Sequence, residues 1–154
     1  MGLDMYLNAK KYLSKYFDPA DTERINAINA AFGIDGDEDG DYAAQEVTFR
    51  VAYWRKANAI HQWFVDNVQD GTDDCGEYGV PREKLQELMK LCEKIIAEPK
   101  KAKTLMPTAS GFFFGTTEYD DWYMQGIEFT AARIKKILAD TALTRCDFYY
   151  QSSW

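Results

Sequence analysis

The sequence predicts an α+β fold: a single globular domain of residues 1–154, with a mixed β-sheet of about five strands and about four helices packed on it. Three observations lead there. Several short segments alternate apolar and polar residues with the period of a strand, and the segments between them carry apolar residues at helical spacing. At 154 residues the chain is long enough for one well-packed core and too short for two ordinary domains.

The first strand is MGLDMYLNA, in which Leu3, Met5 and Leu7 share a face. Asp18 and Pro19 then supply an N-cap and a first-turn proline, and Ile25, Ile28 and Phe32 follow at helical spacing as far as Gly33. Val47, Phe49, Val51 and Tyr53 alternate in EVTFRVAYW, a strong strand signal. A helix over KANAIHQWFVDNVQ has Ala57, Ile60, Phe64 and Val68 as its stripe. CGEYGV reads as a short strand. Pro81 opens the most regular helix, with Leu85, Leu88, Cys92 and Ile95 in register. Pro99 to Pro107 reads as a loop, and GFFFG, Gly111 to Gly115, as an apolar strand bounded by glycines. Thr117 to Asp120 resembles a capping box for a helix that carries Trp122, Tyr123, Ile127, Ala131, Ile134 and Leu138 to about Asp140. CDFYYQSSW alternates as a closing strand, with one set of residues in the core and the other lining a pocket or a partner surface.

Composition narrows the function. Eighteen Lys and Arg against 25 Asp and Glu give a net charge of −7. General nucleic-acid binding needs clustered cations, so this balance argues against it and suits a partner with a basic surface. Ten Tyr, nine Phe and four Trp exceed what a core of this size requires, and the surplus suits surface anchors. Three cysteines without a CxxC spacing, no charged-then-apolar leader and no apolar run of bilayer-spanning length predict a reducing, cytoplasmic setting with no membrane role.

Asp35 to Glu46, DGDEDGDYAAQE, matches the twelve-residue calcium loop, with Asp35, Asp37, Asp39 and Glu46 as ligands and Gly40 at the bend. Its flanks do not match, because a strand pattern follows Glu46 where an exiting helix belongs. An acidic connection between helix and strand is the reading preferred, with calcium as the alternative. His61 is the only histidine and lies beside the stripe of its helix. With Cys75 and Asp74 it can be drawn as base, nucleophile and orienter, or read as a hydrogen-bonded, half-buried side chain. The common phosphate-loop and hydrolase signatures are missing. Trp54, Arg55, Lys56 and Asn58 stand where a strand ends and a helix begins, a place where cations and backbone N–H groups can meet an anion. With His61 and, from the closing strand, Tyr149, Gln151 and Trp154, they are the expected ligand- or partner-binding residues.

MGLDMYL, YWRKANAIHQWFVDNVQ, GFFFG followed by EYDDWY, and the closing DFYYQSSW together resemble a group of small proteins encoded by bacteriophages and prophages, over nearly the whole chain. The acidic loop is not among the strings that carry the resemblance. The resemblance implies an accessory protein that binds a host component. The expectation is therefore a non-enzymatic, acidic inhibitor of a host defence factor, for example a CRISPR effector, acting through protein–protein contact in the host cytoplasm. One alternative is a protein that sequesters a small anion or nucleotide with Arg55, Lys56 and stacked rings. The other is a hydrolase-type enzyme using Cys75 and His61.

Overall fold

The computed structural model describes residues 2–36, 42–111 and 114–154. Its elements are β1 (Asp4–Tyr12), α1 (Asp21–Phe32), β2 (Glu46–Arg55), α2 (Asn58–Asn67), β3 (Glu77–Val80), α3 (Arg82–Ala97), α4 (Ala102–Leu105), α5 (Asp121–Ala139) and β4 (Asp147–Ser153). The strands form one antiparallel sheet in the order β2-β1-β4-β3, so the class is α+β as expected. In β3 and β4, Tyr78 stands opposite Tyr150 and Val80 opposite Phe148.

Backbone contacts divide the chain into two compact units, Met1–Ala9 with Arg50–Trp154, and Lys10–Phe49. The larger unit holds the apolar core. Leu3, just before β1, and Met5 and Leu7 of β1 are fully buried, as are Leu85, Leu88, Cys92 and Ile95 of α3. Burial of each such side chain contributes about 1.5–3 kcal/mol, enough to fix which face of each element turns inward. Ile127, Ile134 and Ile137 of α5 join them, and the Phe64 ring of α2 stacks on Tyr150 of β4 at 3.9 Å between centroids. Burial pushes the Cys92 thiol up to about 12, with Glu93 adding to it, so this cysteine behaves as a small apolar side chain.

The smaller unit comprises the end of β1, α1 and the start of β2, and it is held largely by polar contacts. Asp21 and Asn29 are the buried residues of α1. Asp21 accepts from Arg24 at 2.7 Å and from the Ser14 N–H at 3.1 Å, and pairs with Lys11 at 3.1 Å. Asn29 accepts from the Ala44 N–H at 2.9 Å. The stripe expected to bury α1 does not do so: Phe32 is exposed and Ile25 and Ile28 are half-buried. Polar anchoring through Asp21 and Asn29 marks the buried face instead.

Other expectations are also corrected. Pro99–Lys101 forms a 3-10 turn leading into α4, where a loop was expected. Gly111, Phe114 and Gly115 lie outside any strand, while Phe112 and Phe113 fall outside the described residues; among the described residues the sheet has four strands. Asp120, and not Thr117, caps α5, its carboxylate accepting from the Tyr123 N–H at 3.0 Å. In β2 the residues driven inward are Ala52 and Trp54, leaving Phe49 and Tyr53 exposed, because the core side of the sheet faces the even positions there. Among the described residues no helix is long and apolar enough to cross a membrane.

Candidate functional site: a ring-lined cavity at the end of β2

Within the larger unit, β2 ends at Arg55, and Lys56 takes a left-handed backbone conformation, φ 56°, before α2 begins at Asn58. A β-carbon makes that conformation unfavourable, so Lys56 is held in place by its surroundings. Its N–H donates to the Leu3 carbonyl at 2.7 Å. Its aliphatic stem lies against Gly2 and Gly115, where an added β-carbon would come within 3.3 and 3.2 Å of it. Two successive cationic residues at this turn, Arg55 and Lys56, border the same opening.

That opening is a cavity of about 630 Å³. The β2–α2 turn, from Tyr53 to Ile60, forms one wall. Glu118 and Asp120 line it from the preceding loop, and Trp122, Tyr123, Gln125, Gly126, Ile127 and Phe129 line it from α5. Trp54 belongs to the interior: its indole N–H donates to Thr130 Oγ1 at 2.8 Å, and its ring meets Phe129 edge-on at 6.1 Å. Trp122, by contrast, is 76% exposed, and Tyr53 and Phe129 are partly exposed beside it.

Asn58 holds the opposite wall. Its amide donates to the carbonyls of Phe114 and Thr116 at 3.0 and 2.8 Å, and its oxygen accepts from the Ala109 N–H at 3.1 Å. Thr108 and Tyr119 tie the same loop together, the Thr108 N–H donating to the phenol oxygen at 3.1 Å. Those donated bonds, the Thr108 side chain first, lower the Tyr119 phenol below its ordinary value. Tyr123 donates to the Met106 carbonyl at 2.8 Å, and burial raises its phenol, with Tyr119 and Cys92 contributing. These polar side chains are engaged in building the wall, whereas Arg55, Lys56 and Glu118 in the same lining are exposed.

Electrostatically the cavity is open. Among the described residues neither Arg55 nor Lys56 has a carboxylate partner, and no side chain caps the amino end of α2, which lines the same space. Unpaired cations beside a helix amino terminus make a site for an anion.

The structure therefore brings together four of the expected site residues, Trp54, Arg55, Lys56 and Asn58, and separates the other four. His61 is fully buried, with Nδ1 hydrogen-bonded to the Tyr150 hydroxyl at 2.7 Å and Nε2 to Asp73 at 3.0 Å. The Trp154 indole donates to the other oxygen of Asp73 at 3.1 Å. Burial raises the Tyr150 phenol well above its ordinary value, and the neighbouring charges of Asp73 and Cys75 add to this. Gln151 donates to the Cys75 carbonyl at 3.2 Å, and Tyr149 is half-buried in β4; neither lines the cavity. The partner of His61 is Asp73, and not Asp74, which accepts from the Tyr78 hydroxyl and the Gly76 N–H. With both ring nitrogens engaged, His61 has none left to activate Cys75.

Of the expected calcium ligands, Asp35 and Glu46 are exposed and Asp37 and Asp39 lie outside the described residues, as does Gly40. Glu46 opens β2 and accepts from the Thr48 hydroxyl at 3.3 Å. Among the described residues no group of three or more His, Cys, Asp or Glu side chains is placed to hold a metal ion. The residues that sequence reasoning missed are Glu118, Trp122, Gly126 and Phe129. No family model, curated protein or solved structure matches the chain.

Proposed function

We propose that the protein acts by binding and that it holds a small anionic molecule in the cavity at the β2–α2 turn. The observation that carries this reading is the pair Arg55 and Lys56, without carboxylate partners among the described residues, beside the uncapped start of α2 and a ring-lined space of about 630 Å³. A volume of that size lies within the range of small-molecule sites. Binding is preferred over catalysis because the one histidine has both nitrogens engaged in the interior. The strings containing Trp54 to Asn58, Gly115 and Glu118 to Tyr123 line this cavity and are among those that resemble phage and prophage proteins. An accessory protein that sequesters an anionic metabolite or signal in the host cytoplasm fits that setting. Calorimetric titration with inorganic phosphate, pyrophosphate and citrate tests the reading. A ligand at 100 times its dissociation constant adds about 2.7 kcal/mol to the folded state. Arg55→Gln and Lys56→Gln each weaken it; anion binding unchanged in both variants would remove the proposal.

A second reading is contact with a host protein bearing a basic surface, such as a defence factor of the CRISPR-effector type. Exposed rings on the Lys10–Phe49 unit favour it: Tyr12, Tyr16, Phe17, Phe32 and Tyr42 are each more than half exposed. Retention of a purified effector on immobilised protein, lost in Tyr16→Ser with Phe17→Ser and kept in Arg55→Gln, supports this reading. The opposite pattern returns the interaction to the cavity.

A further inference from the structure

Resting on the anion-binding reading, the geometry points to a nucleoside monophosphate as the molecule this cavity takes. An isolated phosphate needs cations and backbone N–H groups, but it needs neither rings nor a space of about 630 Å³. Here the cations occupy one side, while Trp122 stands 76% exposed on the first turn of α5, with Tyr53 and Phe129 partly exposed around the same space. Exposed aromatic faces beside a cationic wall are what a nucleobase and its phosphate require, since a base stacks on any ring and the phosphate lies on the charges.

Glu118 supplies the third element. Glu118 lines the cavity and is exposed, and its carboxylate has no hydrogen-bond or ion-pair partner among the described residues, whereas Asp120 is partly occupied in capping α5. An unpaired carboxylate accepts from donors, and a nucleotide carries them as ribose hydroxyls and exocyclic amines. The charge balance also limits the phosphate chain. The lining offers two cations, Arg55 and Lys56, against two carboxylates, Glu118 and Asp120, so each phosphate beyond the first would add repulsion without an added cation from the cavity wall. Gly126 leaves the space clear, because nothing lies within 4 Å of where its β-carbon would stand.

The test is calorimetric titration, together with tryptophan fluorescence, of the intact protein with AMP, GMP, CMP, UMP, ribose 5-phosphate, adenosine and ATP. At least one monophosphate is expected to quench fluorescence and to bind about tenfold or more tighter than ribose 5-phosphate, its nucleoside and its triphosphate. Trp122→Ala, on the surface, is expected to erase most of the advantage over ribose 5-phosphate, and Gly126→Leu to block all binding by filling the cavity. Their far-ultraviolet circular dichroism should match that of the parent. Ribose 5-phosphate binding as tightly as every nucleotide would overturn the nucleotide inference and leave anion binding standing. Adenosine binding as tightly as AMP would overturn the anion reading, and binding by none of the panel would overturn both. A triphosphate that outcompetes the monophosphate, or a Trp122→Ala variant with unaltered selectivity, would likewise overturn the inference.

Discussion

Two clusters in the larger unit combine rings with ionisable groups and use them in opposite ways. Around His61, each polar atom finds its partner inside the protein: Tyr150 and Asp73 take the two imidazole nitrogens, and Trp154 takes the remaining Asp73 oxygen. Around Lys56, neither cation forms an ion pair among the described residues and Trp122 is largely exposed. The first arrangement is internally satisfied and stabilises the fold. In the second, Arg55, Lys56 and Trp122 are exposed and remain accessible from outside the protein. A histidine beside a carboxylate is the more familiar sign of function, yet here both of its ring nitrogens are already bonded within the protein.

If that contrast is right, the largest loss of stability belongs to the satisfied cluster. His61→Ala removes a fully buried ring and orphans the Tyr150 hydroxyl and one Asp73 oxygen, at an expected cost of about 3 kcal/mol. Arg55→Gln, in the open cluster, should stay within about 0.5 kcal/mol of the parent. Urea unfolding of both variants checks the pair, and equal losses would erase the distinction between the clusters.

Next in size is Asn58→Ala, which bears on the wall between them. It strands two loop carbonyls and one N–H, for about 2 kcal/mol, and it should also weaken ligand binding because the loop carrying Glu118 is no longer anchored. Urea unfolding and titration of the same sample show whether the two losses occur together.

Lys56→Gly carries the opposite sign. Glycine accepts φ 56° without strain, so the variant should gain up to about 1 kcal/mol while binding anions more weakly. Loss of stability in this variant would mean that stem packing against Gly2 and Gly115 outweighs the backbone strain.

Much of the fold was legible because burial of one face imposes a period. Leu3, Met5 and Leu7, and the α3 stripe from Leu85 to Ile95, occur where their spacing predicts. The Lys10–Phe49 unit was misread where polar anchoring by Asp21 and Asn29 replaces an apolar face, since hydrogen-bond partners distant in sequence leave no periodic trace. The same limit applied to the cavity. A strand ending in two cations before a helix flagged Trp54 to Asn58, but nothing local to residues 118–129 says that they meet residues 53–60. GFFFG misled because an apolar run bounded by glycines reads alike as a strand or as a loop. Of its described residues, Phe114 lies outside the sheet, with its carbonyl accepting from Asn58 at 3.0 Å.

The smallest expected effect is confined to acid, and it contrasts the open cations with paired ones. Lys11 and Arg24 both reach Asp21, which is buried. Burial by itself would raise that carboxyl, but the hydrogen bonds from Arg24, the Ser14 N–H and Lys11 outweigh it and hold the group at about 2, below its ordinary 3.8. The folded protein thus binds this proton less readily than the unfolded chain. Its contribution to stability is complete above about pH 4 and is lost as the pH falls toward 2. Arg55 and Lys56 form no such ion pair among the described residues. Melting temperatures measured across this range should fall more steeply for the parent than for Asp21→Asn, while Arg55→Gln should follow the parent. Parallel curves for the parent and Asp21→Asn would show that this carboxyl titrates alike in the folded and unfolded chain, and the contrast between paired and open cations would then rest on the cavity alone.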